Sequence, residues 1–390
     1  MRPMKRALLR LSLVAIATVL AFLCGEIGMR VLKRPANHGD QYYADAEYRE
    51  INTVTPTVED LARAAEVLEV VKDAPRFRQT FKPNTVVHVC YRGYQGHDGF
   101  DEHGCVEMRT DSWGVREREE LCTKKPAGQV RVVCLGDSTT VGWGVRFEDC
   151  WTQRAEDILR KTDDQVRMVN CGASGTLVPD EYAHALFTRF ARFEPDCVLV
   201  TLCLNDLLPV NGGMSHLNTA AMADRNDRLP APFDRSVLLT SLYRTLHDRD
   251  PLVLDPDHDW VHDLLVLPTE SYPDGARQMG RIYWDSGVPQ DALRRMRDWC
   301  KERHLGFGVA LWPFLQQIGD RAHHPFAPMN DQVAAFCKAE GMPFLDLLDV
   351  FLGLDPRTLW VSPLDMHGNP RAHALAAPRY AAFVQGLLAR

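Results

Sequence analysis

Ser138, Asp365 and His367 are residue types that can together carry out acyl chemistry. A serine hydroxyl is a weak nucleophile until a neighbouring base takes its proton, and histidine is such a base. A carboxylate close to the imidazole fixes its tautomer by hydrogen bonding. Ser138 stands in Gly136-Asp137-Ser138. Asp365 and His367 stand in Asp365-Met366-His367-Gly368-Asn369-Pro370, ahead of the last helical pattern. The structural alternatives are a serine that caps the next helix and a helix-entry loop in which Asp365 forms a turn. Acyl transfer also needs donors aimed at the developing oxyanion. Three are available: the backbone N–H of Ser138, the backbone N–H of Gly172 in Asn170-Cys171-Gly172-Ala173-Ser174-Gly175, and the side-chain amide of Asn205 in Leu202-Cys203-Leu204-Asn205-Asp206.

Each of these residues follows a segment that can position it. Val130-Arg131-Val132-Val133-Cys134-Leu135 is a β-branched apolar run of strand length, and it ends on Gly136. A Gly-containing loop, 139–145, is expected after Ser138. Further strands are expected at 166–170, 197–203, 306–312 and 343–346. Helices are expected at 147–161, 179–193, 288–303, 329–340 and 372–389. This alternation predicts a parallel sheet covered on both faces, with Ser138 at the carboxyl end of a strand, where such sheets bind ligands.

The flanking regions differ in character. Residues 35–129 read as an irregular extension with one helical pattern at 58–71. Residues 209–283, rich in Asp, Pro, Leu and His, break the strand–helix rhythm as an insertion. The chain of 390 residues is 45% hydrophobic and 25% charged, within the range of ordinary globular proteins. Its net charge is −7; residues 1–34 hold seven Lys/Arg and one acid, so the remainder carries −13. An acidic body argues against nucleic acid as a partner.

The basic N-terminus surrounds an apolar stretch that reaches spanning length between Ala7 and Met29. No Ala-x-Ala-like cleavage site follows it, and Leu23 rather than a small residue precedes Cys24. The expectation is an uncleaved single-pass anchor over residues 1–34. The basic residues favour a cytoplasmic N-terminus slightly, which leaves the body extracytoplasmic, periplasmic in a Gram-negative cell. Of eleven cysteines, Cys134, Cys197 and Cys203 fall in expected strands as small buried hydrophobes. Cys90, Cys105 and Cys122 lie in a loop-rich region and are disulfide candidates, with Cys90 and Cys105 the expected pair. No Cys-x-x-Cys occurs. His323-His324 and the Asp/His run at 255–259 lack metal-ligand spacing, and His373 reads as structural.

Taken in order, Gly136-Asp137-Ser138, Gly172, Asn205 and Asp365/His367 resemble the four blocks of the SGNH (GDSL-type) hydrolases. The resemblance covers residues 130–390, interrupted by the insertion. Asp111-Ser112-Trp113-Gly114-Val115-Arg116 is similar to a segment that precedes the Ser block in membrane-anchored bacterial members. Gly25-Glu26-Ile27-Gly28-Met29-Arg30 is similar to the end of their anchors. Two departures stand out. Cys203 replaces the usual glycine of the third block, where its thiol would crowd the oxyanion pocket. The last block is Asp-x-His rather than Asp-x-x-His, a spacing shared with polysaccharide O-acetyltransferases.

The resemblance implies a three-layer α/β/α fold, flavodoxin-like in class, with a five-stranded parallel sheet. It implies an esterase that forms an acyl-enzyme on Ser138. His367 would be the base, Asp365 its orienting acid, and Ser138, Gly172 and Asn205 the oxyanion hole. Neither a metal nor an organic cofactor is implied. The expected substrate is an acyl, especially acetyl, ester of a cell-envelope glycan or lipid. An O-acyltransferase with the same Ser-His site and a non-catalytic carbohydrate-binding protein are alternatives, since fold alone does not establish activity.

Overall fold

The computed structural model describes residues 17–28, 41–43, 86–91, 97–101, 105–173, 178–207, 286–362 and 365–389, together with Pro83, Asn84, Ser236, Leu238, Leu239 and Trp284. The expected helix at 58–71 and nearly all of the 209–283 insertion lie outside the described residues. The chain divides into two compact units, one of residues 1–40 with 219–253 and one of residues 41–218 with 254–390.

The larger unit begins with β1 (Gln41–Tyr43), β2 (Val86–Tyr91) and β3 (Cys105–Arg109), which form a three-stranded antiparallel sheet. This corrects the expectation that the extension is irregular. Val86, Val87 and Val89 supply the β-branched content of a strand, but Gly- and His-rich sequence follows it. Cys105 is disulfide-bonded and lies opposite Cys90 in the ladder, in keeping with the expected pair. Nine other cysteines, Cys122 among them, form no disulfide.

The main sheet contains β4 (Val130–Gly136), β5 (Val166–Gly172), β6 (Cys197–Cys203), β7 (Gly306–Trp312) and β8 (Phe344–Asp346). All pairs are parallel and the order is β5-β4-β6-β7-β8. Every residue of β6 is buried, the pattern expected when both faces are covered. From β4 the chain moves outward to β5, then crosses back to β6 on the other side. The carboxyl end of β4 therefore lies at the topological switch point, where the crevice of an open α/β sheet opens.

Seven helices are described in this unit: α1 (Ser138–Val141), α2 (Trp151–Leu159), α3 (Pro179–Thr188), α4 (Val288–Glu302), α5 (Ala327–Ala339), α6 (Leu348–Phe351) and α7 (Pro370–Leu388). Helix α4 shows how they form. Gly287 precedes it at φ 81°, Pro289 enters its first turn, and Leu293, Met296 and Cys300 bury one face. Helix α2 packs on α7 and α3 on α4. Trp151 and Tyr380 stack at 3.7 Å between the first two. A short antiparallel ribbon, β9 (Trp360–Ser362) and β10 (Asp365–Gly368), precedes α7.

The small sheet is not peripheral to the core. Val89 and Met108 share one buried cluster with Val141, Trp143, Val145, Cys150 and Val361. The chain leaving β3 buries Arg116 and Glu117, and Glu117 pairs with Arg167 on β5. Burial pushes the Glu117 carboxyl up to about 8, against the pull of Arg167.

In the smaller unit, residues 17–28 are helical. Val19, Leu20, Phe22, Leu23 and Ile27 are exposed there, while Glu26 is buried. The Glu26 carboxylate accepts hydrogen bonds from Ser236 Oγ at 2.7 Å and Leu238 N–H at 3.0 Å. Among the described residues, no helix is long and apolar enough to cross a membrane. The first part of the expected span lies outside them.

Candidate active site

Ser138 is the first residue of α1, so 139–141 are helical, which corrects the expectation of a loop there; 142–145 form a turn. The Asp137 carboxylate caps the turn, accepting from Thr139 N–H at 2.9 Å and Thr139 Oγ1 at 2.7 Å. Gly142 ends it at φ 74°, a left-handed conformation that glycine adopts without a Cβ clash. A helix of one turn satisfies almost none of its own carbonyls, so other segments must do so. Trp151 Nε1 donates to Thr139 O at 3.1 Å and Asn170 Nδ2 to Thr140 O at 2.9 Å. Arg116 Nη1 donates to Val141 O at 2.5 Å. Removing the Trp151 or Asn170 donor leaves a buried carbonyl unpaired, at about 1–3 kcal/mol.

The turn also sits directly on two strand ends. A Cβ on Gly136 would lie 2.1 Å from Thr140 Oγ1, and one on Gly172 would lie 2.4 Å from Val141 N. These glycines are paired across β4 and β5. The requirement at Gly172 is therefore close approach. Its N–H, expected as an oxyanion donor, instead donates to Asn170 Oδ1 at 3.2 Å. The adjacent Ala173 N–H donates to Gly136 O at 3.1 Å. By contrast, Ser138 N–H donates to no group among the described residues.

The structure brings Ser138, His367 and Asp365 together. Ser138 Oγ lies 2.8 Å from His367 Nε2, and His367 Nδ1 lies 2.5 Å from Asp365 Oδ1. A proton on Nδ1 donates to the carboxylate, which leaves Nε2 to accept the serine hydroxyl. The Asp-x-His spacing follows from β10, because alternate residues of a strand share a face. Asp365 Oδ1 also accepts the backbone N–H of His367 at 3.0 Å. Burial lowers the imidazole pKa, but the charge and hydrogen bond of Asp365 outweigh it, and the net shift is upward from 6.5.

Asn205 lies in the 3-10 turn Leu204–Leu207 after β6; its side chain lies outside the described residues. Cys203 is buried, and its N–H donates to Asp206 Oδ2 at 2.8 Å. Asp206 is fully buried. Desolvation, followed by the charge of Asp137, raises its pKa well above the carboxylate range. His373 is structural as expected: its Nδ1 accepts Trp151 N–H at 3.0 Å, and burial holds its pKa down at about 3.

Residues 134–375 match the GDSL-like lipase/acylhydrolase family. The chain belongs to this family. Like other acylhydrolases of the family, it is a hydrolase acting on ester bonds. No match was found among curated proteins. Among solved structures, it is similar to an acetylxylan esterase from Geobacillus stearothermophilus, at 17% identity over 67% of this chain and 96% of that one, TM-score 0.39. It is also similar to an α/β hydrolase from the metagenome of Lake Arreo, Spain, at 15% over 67% and 97%, TM-score 0.39. A third is a two-domain esterase active on acetylated mannans, at 14% over 67% and 50%, TM-score 0.36. Likeness at this level is no guide to substrate.

The site residues that sequence alone missed are those behind α1. Arg116 was visible only as part of a similar segment, Asn170 only as a neighbour of Gly172, and Trp151 not at all. Their donors go to backbone carbonyls, which carry no sequence signal.

Proposed function

We propose that this GDSL-like acylhydrolase is a serine esterase that works through an acyl-enzyme on Ser138. The supporting observation is the chain of contacts from Ser138 Oγ to His367 Nε2 and from His367 Nδ1 to Asp365. His367 takes the serine proton as Oγ attacks the ester carbonyl, then gives it to the leaving alkoxide. Ser138 N–H and the Asn205 amide stabilise the tetrahedral oxyanion. Water, activated by His367, then releases the acid. The proposed substrate is an acyl, especially acetyl, ester of a cell-envelope glycan or lipid.

A fluorophosphonate probe followed by mapping of the labelled residue tests the nucleophile directly. Labelling at Ser138 supports the reading; labelling elsewhere, or none, overturns it. Incubating the full chain with an acetyl ester and millimolar oligosaccharide separates hydrolysis from transfer. The expected product is mainly free acetate, whereas mainly acetylated sugar would make the protein a transferase.

Asp365→Asn tests the orienting acid. Neutral imidazole is the active form, so wild-type kcat/KM is expected to rise with pH through a midpoint above 6.5. Asparagine removes the charge that opposes burial, and its amide N–H₂ group can face Nδ1. The midpoint should move below that of the wild type, and kcat should fall by about 100-fold or more. An unchanged midpoint in the pH profile would remove Asp365 from this role.

We further propose that residues 1–34 anchor the protein with its body outside the cytoplasm. The exposed apolar side chains of residues 17–28 support this. The full chain should sediment with membranes and resist extraction by alkaline carbonate. Protease added to spheroplasts should digest the body; protection of the body would contradict the orientation.

A further inference from the structure

Arg116 lies 22 residues before the nucleophile in sequence and bonds to the end of the turn that the nucleophile opens. Its side chain is fully buried. Nη1 donates to Val141 O at 2.5 Å and to Gly142 O at 2.7 Å, and also touches Cys150 Sγ at 3.1 Å. Nη2 donates to Val145 O at 2.6 Å. The guanidinium forms no ion pair among the described residues. Its hydrogen-bond acceptors are three carbonyls, all belonging to the end of α1 or the loop that leaves it, and the Cys150 thiol is a further polar neighbour.

A buried cation without a carboxylate partner is expensive to desolvate. What it holds here is a single helical turn with few internal hydrogen bonds. Two other donors, Trp151 Nε1 on α2 and Asn170 Nδ2 on β5, hold the middle of that turn. The planar fork of arginine suits this task, since two nitrogens at fixed separation reach separate carbonyls. Val89 and Met108 of the small sheet share one buried cluster with Val141 and Val145. The extension thus meets the nucleophile turn by both polar and apolar contacts.

We infer that Arg116 is a positioning residue for Ser138, fixing α1 so that the hydroxyl and the backbone N–H of Ser138 face the acyl carbon and its oxygen together. This inference rests on the reading of Ser138 as the nucleophile. Arg116 is fully buried and bonded to backbone, so it acts through α1 and not on the substrate. Its loss should appear in kcat and leave KM in place.

The test compares the full-length wild type, Arg116→Lys, Arg116→Gln and Ser138→Ala with p-nitrophenyl acetate, and measures the rate of fluorophosphonate labelling. Lysine keeps the charge but places its donors on one nitrogen, so it reaches one end of the loop. Glutamine keeps one amide donor and no charge. With folding verified by near-UV circular dichroism, kcat is expected to fall about tenfold in Arg116→Lys and about 100-fold in Arg116→Gln, as for a nucleophile displaced by about 1 Å. KM should stay within twofold, and labelling should slow in parallel with kcat. The inference is overturned if folded Arg116→Gln keeps kcat within twofold of wild type, if KM changes instead, or if neither variant folds, since Arg116 is then a fold determinant only. Turnover retained in Ser138→Ala would overturn the nucleophile reading itself. An inactive Ser138→Ala beside a fast Arg116→Gln would overturn the Arg116 inference alone.

Discussion

Ser138→Ala is expected to reduce ester turnover by about 10⁴-fold or more while leaving the fold intact. The methyl group fits where the hydroxymethyl group was, at the buried start of α1. Alanine is also the best helix former. The partner left behind, His367 Nε2, belongs to a side chain that is 32% exposed, so water can replace the lost contact. Thermal unfolding should therefore differ from wild type by only a few degrees, consistent with the loss of about one hydrogen bond. A purified variant with more than a tenth of wild-type kcat would show that Ser138 is not the nucleophile.

His367→Ala should be comparably severe, about 10⁴-fold in kcat, because at neutral pH no other group would take the Ser138 proton. The nearest alternative acceptor is Asp137 Oδ2, 3.4 Å from Ser138 Oγ. That carboxylate's other oxygen is already committed to capping Thr139. The strand should survive the change, since residue 367 keeps its backbone bond to Asp365 Oδ1. Added imidazole should restore part of the rate in His367→Ala and none in Ser138→Ala. Turnover within tenfold of wild type, with no response to imidazole, would assign the base to another residue.

The parts of this architecture legible in the sequence were those made by local pattern. The five parallel strands fall within two residues of the expected ends, because near-continuous apolar runs are what a doubly covered sheet requires. The Ser, His and Asp were legible because their side chains do the work. What stayed hidden depends on distant partners. Helix α1 is one turn long, and its carbonyls are satisfied from residues 116, 151 and 170; no periodicity arises in four residues. The small sheet escaped notice because β1 has three residues and gains its order from β2 rather than from its own sequence. Gly172 was read as a donor because glycine permits close approach to a ligand. The approach is real, but the neighbour is the backbone of α1.

The ribbon that carries Asp365 and His367 bears on the kinematics of the site. Acid and base sit two residues apart on one strand, joined through Asp365 Oδ1 by both backbone and ring. They form a single mechanical part, and Ser138 on its turn forms the other. The 2.8 Å contact between His367 and Ser138 is the hydrogen bond that couples the two parts. A displacement of the ribbon thus uncouples the base from the nucleophile without separating the base from its acid. The Nδ1 contact to Asp365 does not depend on the contact to Ser138, so such a displacement would leave the ring oriented by its acid.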